Sequence, residues 1–198
     1  QALLNPLYGP AGLALLADGV APEDAVARLV EAAAGRDQRQ LHLLGAAGAA
    51  AAYTGAECVA WCGHRTHADF SAAGNMLAGP EVLDATAQAY VESAGRSLAE
   101  RLLDALAAGD AAGGDKRGKQ AAALRIHAAE DYPSLDLRVD DHAEPIAELR
   151  RLYDASLERF QPFIACLAGR DSASGVIDRA EIERRIEAFR ASHGLGNG

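Results

Sequence analysis

The chain has 198 residues, 49% of them hydrophobic and 24% charged, the composition of an ordinary soluble globular protein about one domain long. Its 28 acidic and 19 basic residues give a net charge of −9, a field that repels a phosphate backbone and argues against nucleic acid as a partner. No apolar run approaches the ~20 residues of a membrane-spanning helix, and Cys58, Cys62 and Cys166 are too few and too unevenly placed for a disulfide framework.

The first residue is Gln1, not Met, and no signal-peptide pattern follows it. The chain therefore reads as starting after its translated beginning, with a cytoplasmic location expected. The stretch Asn5-Pro6-Leu7-Tyr8-Gly9-Pro10 is turn-rich and predicts a short helix only over 11–17. Pro22 opens a second helix, with Glu23 and Asp24 in the first turn where the dipole favours anions. From 39 to 54, short arms around Gly45-Ala46-Ala47-Gly48 predict a β-hairpin, although the alanine-rich second arm also has helical propensity.

Residues 55–65 read as irregular and 69–74 as a strand. Pro80 opens a helix to about Ser93, and the capping box Ser97-Leu98-Ala99-Glu100 begins another that stops at Gly109. After a glycine-rich loop at 113–118, segments 120–127 and 135–140 alternate apolar and polar residues around a turn at 131–134, which predicts a second hairpin. Pro145 starts an amphipathic helix to about Phe160, and Asp178 with Glu181 caps a last one. Hairpins and paired helices without strand-helix-strand alternation imply an α+β fold with mainly antiparallel sheets.

Several residues are candidates for chemistry. Cys58, Cys62, His64 and His67 are types that bind zinc, but their spacing is not that of paired knuckles, and the plainer reading is a buried thiol with turn histidines. Gly74-Asn75-Met76-Leu77-Ala78-Gly79-Pro80 joins a strand to a helix start, whose free N–H groups suit a carboxylate or oxyanion, with Asn75 as a side-chain donor. The same residues also suit a tight connection in which Asn75 takes a left-handed φ.

Arg117 can clamp a carboxylate and Asp115 can hold Arg117 or an amine, or both belong to a solvated loop. Asp136, Arg138 and Asp140 share a strand face with Asp141 and His142 beyond it. Either they gather around a cation or a proton, or the face pairs with Arg125 and His127 across the hairpin. The tail imitates half of an EF-hand loop, but Arg170 stands where a carboxylate is required. No Ser-His-Asp or Gly-x-Ser-x-Gly pattern marks Thr54, Thr66, Ser71 or Ser93 as a nucleophile.

Taken together, Gln1-Ala2-Leu3, Asn5-Pro6-x-Tyr8-Gly9-Pro10, Thr54-Gly55-x-x-Cys58, the Gly74–Gly79 segment, Gly113-Gly114-Asp115-Lys116-Arg117-Gly118 with Gln120, and Asp136-Leu137-Arg138-Val139-Asp140-Asp141-His142 resemble the family called domain of unknown function 1028. The resemblance runs to about Leu152; Cys62 and His67 depart from the family pattern. It implies a layered αββα sandwich of the Ntn-hydrolase (proteasome-subunit) type, with the family's first strands upstream of Gln1.

Such hydrolases attack with an N-terminal Thr, Ser or Cys and use its α-amine as base. Gln1 has no nucleophilic side chain, so the nucleophile is expected ahead of it. The implied function is hydrolysis of a small amide or related C–N bond, with Asn75 catalytic at the oxyanion and Asn5, Tyr8, Asp115, Arg117, Gln120 and Asp140 around the substrate. The alternative is a non-catalytic small-ligand-binding or interaction module. The expected domains are 1–160 and a helical appendage at 161–198. The expected partner is a small-molecule substrate, with no cofactor, no metal, no nucleic acid and no membrane, and homo-oligomerisation left open.

Overall fold

The computed structural model describes residues 2–195; Gln1 lies outside the described residues. The chain forms two compact units, Gln1–Gly118 and Lys119–Gly198. The architecture is mixed α+β, with three two-stranded antiparallel sheets among the described residues and no barrel.

In the first unit, α1 (Tyr8–Ala17) and α2 (Pro22–Glu31) precede a hairpin of β1 (Gln40–Leu44) and β2 (Ala50–Thr54). Helix α1 begins ahead of the expected Ala11. Gly9 and Pro10 fall in its first turn, where N–H groups have no intrahelical partner and proline removes nothing. The Asn5 side chain accepts a bond from Leu7 N at 3.1 Å, which fixes the approach to the helix. Leu41 and Leu43 alternate onto one face of β1 and form a core with Tyr8, Ala25, Val26 and Ala51. Gly55 follows β2 where a Cβ would stand 2.3 Å from the carbonyl oxygen of Asp37, so only glycine fits that approach.

A second hairpin, β3 (Gly63–His67) and β4 (Phe70–Gly74), packs against the other face of the first. Strand β3 lies where the sequence reads as irregular: its residues include one β-branched side chain and no aliphatic one. The strand is held by its ladder to β4 and by Arg65, which donates to Asp84 at 2.7 Å. Helices α3 (Glu81–Glu92) and α4 (Leu98–Ala111) pack on each other, and α3 covers the outer face of this hairpin. The Ser97–Glu100 capping box forms as the sequence predicts.

In the second unit, β5 (Ala122–His127) and β6 (Pro133–Val139) form the expected hairpin, with Leu124 opposite Leu137 and Ile126 opposite Leu135, and β6 begins inside the expected turn. Leu124, Leu135 and Val139 are buried, as are Leu149 and Tyr153 of α5 (Pro145–Glu158), which packs on both strands. A short α6 (Phe160–Ile164) and α7 (Arg179–Ser192) complete the unit. Asp178 caps α7 through Ala180 N, and Glu181 binds Arg184 and Arg185, so the EF-hand imitation is a helix start. Among the described residues no helix is long and apolar enough to cross a membrane.

Candidate functional site between two hairpins

The strand period of two puts Gln40 and His42 of β1 on the face opposite the Leu41/Leu43 core. Cross-strand pairing sets Thr54 beside Gln40 and Ala52 beside His42. On the facing hairpin, His64 pairs with Ala73 and Thr66 with Ser71. The interface between the hairpins is therefore lined by small apolar residues and neutral polar groups.

Gln40, 2% exposed, is its centre. Its Nε2 donates to Gly74 O at 2.8 Å and lies 3.1 Å from both Gly63 O and Thr54 Oγ1, while its Oε1 accepts from Asn75 Nδ2 at 3.1 Å. Thr54 Oγ1 is in turn 2.9 Å from His64 Nδ1. With the His64 proton on Nε2, donors run in one direction, Asn75 to Gln40 to Thr54 to His64. A second pair lies alongside, Ser71 Oγ and His42 Nδ1, 2.7 Å apart.

Both imidazoles are held below the usual histidine value. For His64 the main cause is burial, with the Arg65 charge adding to it. His42 is exposed by surface area, yet the protein crowded around its ring still disfavours the charged form, and nearby His64 adds to that. Neutral imidazoles accept protons. Thr54 and Ser71, marked by no such pattern in the sequence, thus each acquire a base through the packing of the hairpins. Gln40 and His42 belong to no motif in the sequence; their one trace there is the polar half of an alternating strand.

Asn75 reaches this network by its side chain alone. The N–H groups after it are spent: Met76 N bonds Val59 O at 3.1 Å, Leu77 N bonds Trp61 O at 3.0 Å, and Ala78 N bonds Gly114 O at 2.9 Å. The left-handed φ falls on Met76 (56°), not on Asn75.

The glycine-rich loop lies beside this segment, with Asp115 bridging Leu77 and Lys116 N bonding Met76 O at 2.9 Å. Gly113 and Gly114 make the turn with φ of 118° and 52°. Asp115 and Arg117 form a closed pair, two guanidinium bonds at 2.9 and 2.5 Å, and those bonds hold the Asp115 carboxyl below the usual range.

Tyr8 packs on the opposite face of β1, in the first core, so the hairpin stands between it and Gln40. Asn5 serves the start of α1. In the second unit, Gln120 donates to Asp141 at 3.1 Å and its carbonyl accepts from His142 N at 3.0 Å, while Asp140 pairs with Arg138 at 2.7 Å.

The Cys58–His67 cluster disperses. Cys58 is buried, with its thiol pushed up by that burial; Cys62 points at Cys58 O, His64 at Thr54, and His67 stacks on Phe70. His64 and His67 are an odd number of residues apart on a strand and face opposite ways. Among the described residues no three His, Cys, Asp or Glu side chains are grouped to hold a metal ion.

Residues 1–149 match the model of a family of unknown function, DUF1028. A protein of Silicibacter pomeroyi, described by its crystal structure and the same family model, superposes with a TM-score of 0.81 at 33% identity, over 90% of this chain and 77% of that one. No curated protein matches the chain.

Proposed function

The chain belongs to the DUF1028 family, and on that premise we propose that it hydrolyses a small amide or related C–N bond in the polar layer between its facing hairpins, as an N-terminal-nucleophile hydrolase on an αββα sandwich. The observation that carries this reading is the relay centred on buried Gln40, a run of neutral donors ending at an imidazole able to take a proton. The sandwich is supported by the order of packing, with α2 on the first hairpin, the second hairpin on the first, and α3 outside the second.

The N-terminal nucleophile is supported by the antiparallel bridge of Ala2 to Arg39. A strand continuing that pairing ahead of Ala2 would pass along β1 beside Gln40 and His42. In this scheme a leading Thr, Ser or Cys attacks and its α-amine takes the proton. Asn75 offers its remaining amide hydrogen to the oxyanion, and Asp115 with Arg117 orients the substrate from the adjoining segment.

The test is a panel of small amides assayed with the full-length protein and with Asn75→Ala. Loss of an oxyanion donor lowers kcat by about 10²–10³-fold. No turnover by the unaltered protein, or full turnover by the variant, refutes the proposal. Amides that raise Tm without being turned over would mark a binding module instead.

A further inference from the structure

The Ser71–His42 pair has no part in that scheme. Its two side chains come from different hairpins, β4 and β1, each fixed in an antiparallel ladder, so their 2.7 Å separation is set by two rigid elements rather than by a loop. A hydroxyl within hydrogen-bond reach of an uncharged imidazole is the arrangement of an activated nucleophile. The ladder sets only the Ala52 methyl opposite His42, which leaves the base with a small neighbour. Thr66, across the ladder from Ser71, supplies a hydroxyl donor on the same face.

We infer that Ser71, with His42 as its base, is an acyl-accepting nucleophile that gives the chain esterase activity on small uncharged carboxylic esters. The substrate class follows from the lining: Gln40, Ala52, Thr54, Thr66 and Ala73 bring no formal charge to the layer, so nothing there pairs with an ionic acyl group. In the first step the Ser71 Oγ–acyl carbon bond forms and the ester C–O bond breaks. The hydroxyl proton passes to His42 Nδ1 and on to the departing alkoxide. Water then attacks the acyl carbon and gives a proton to His42; the acyl carbon–Oγ bond breaks, the proton passes from His42 back to Ser71 Oγ, and the carboxylic acid leaves.

This activity needs no residue outside the sequence, so the two readings fail separately: an amide panel without turnover leaves the esterase standing. The full chain is treated with an uncharged alkyl fluorophosphonate, which forms an Oγ–P bond with loss of fluoride, and with p-nitrophenyl acetate. The expected result is one adduct, mapped to the Ser71 peptide, absent from Ser71→Ala and formed at least ten-fold more slowly in His42→Gln. Ser93→Ala serves as control, since the Ser93 hydroxyl donates only to carbonyls of its own helix. Circular dichroism checks each fold, and should His42→Gln not fold, the mapped adduct and Ser71→Ala decide the matter. No adduct, an adduct elsewhere, or an unchanged rate in His42→Gln overturns the inference.

Discussion

Hairpins β1–β2 and β5–β6 are built on one plan, an apolar face against helices and a polar face turned away, yet their polar faces differ in kind. On β5–β6 that face carries full charges that meet across the ladder, Arg125 with Asp136 at 3.0 Å, and Arg138 with Asp140 nearby. On β1–β2 it carries Gln40, His42 and Thr54, and a second hairpin packs over it, closing most fully over Gln40 and leaving the His42 end accessible. Charges keep their hydration on an open face. A covered face must satisfy every polar atom internally, and neutral groups do that at far lower desolvation cost. Residue type on the polar half of a strand thus reports whether that half is open or covered.

The largest expected effect breaks the covered side. Gln40→Ala removes a buried amide and leaves the Asn75 amide and the carbonyls of Gly63 and Gly74, all half-buried, without the bonds it makes to them. The expected loss is about 2–4 kcal/mol in urea unfolding. Asp136→Ala on the open face is expected to cost less than about 1 kcal/mol. Equal costs for the two variants would end the distinction.

A mid-sized effect separates, by pH, the histidines between the hairpins from the arginine-paired carboxylates on the helices of the second unit. The folded-state values of His42 and His64 lie below the ordinary 6.5, so between 6.5 and those lowered values the unfolded chain binds more protons than the folded one. Their contribution is fully present above pH 6.5 and is lost as pH falls through the folded values. Carboxylates held low by arginines in the second unit, Glu148, Glu181 and Glu183, have an ordinary value of 4.5, so their contribution fades only below that. Thermal unfolding of the unaltered chain should therefore weaken in two steps on acidification. A His42→Gln, His64→Gln double variant should lose the upper step and keep the lower.

Much of this frame is legible in the sequence, because it rests on local rules. Leu41 and Leu43 alternating with Gln40 and His42, the Ser97–Glu100 box, and Asp178 before α7 each involve neighbours a few positions apart. The site is less legible because it is made by register between hairpins. Ser71 meets His42 across 29 positions and Asn75 meets Gln40 across 35, distances at which no spacing rule operates. Asn75 stands out in the sequence by its glycine flanks, yet those flanks shape the connection, and its partner is a glutamine that looks like any polar strand residue. Strand β3 is not legible in the sequence because His64, Arg65 and His67 owe their extended form to tertiary partners rather than to propensity.

The smallest expected effect sharpens the open side of the comparison. A double-mutant cycle on Arg125 and Asp136 isolates one cross-strand ion pair whose side chains are 60% and 36% exposed. Water screens such a pair and both side chains lose rotamer freedom in making it, so the expected coupling is about 0.2–1 kcal/mol, shrinking as salt is raised to ~1 M. The matching cycle on Ser71 and His42, with one hydrogen bond between neutral groups, should give about 0.5–1.5 kcal/mol and hold its value in salt. Salt sensitivity, more than size, is then the discriminating readout. If the Ser71–His42 coupling also faded with salt, the pair would behave as a charged one, and the neutral character assigned to this face would be refuted.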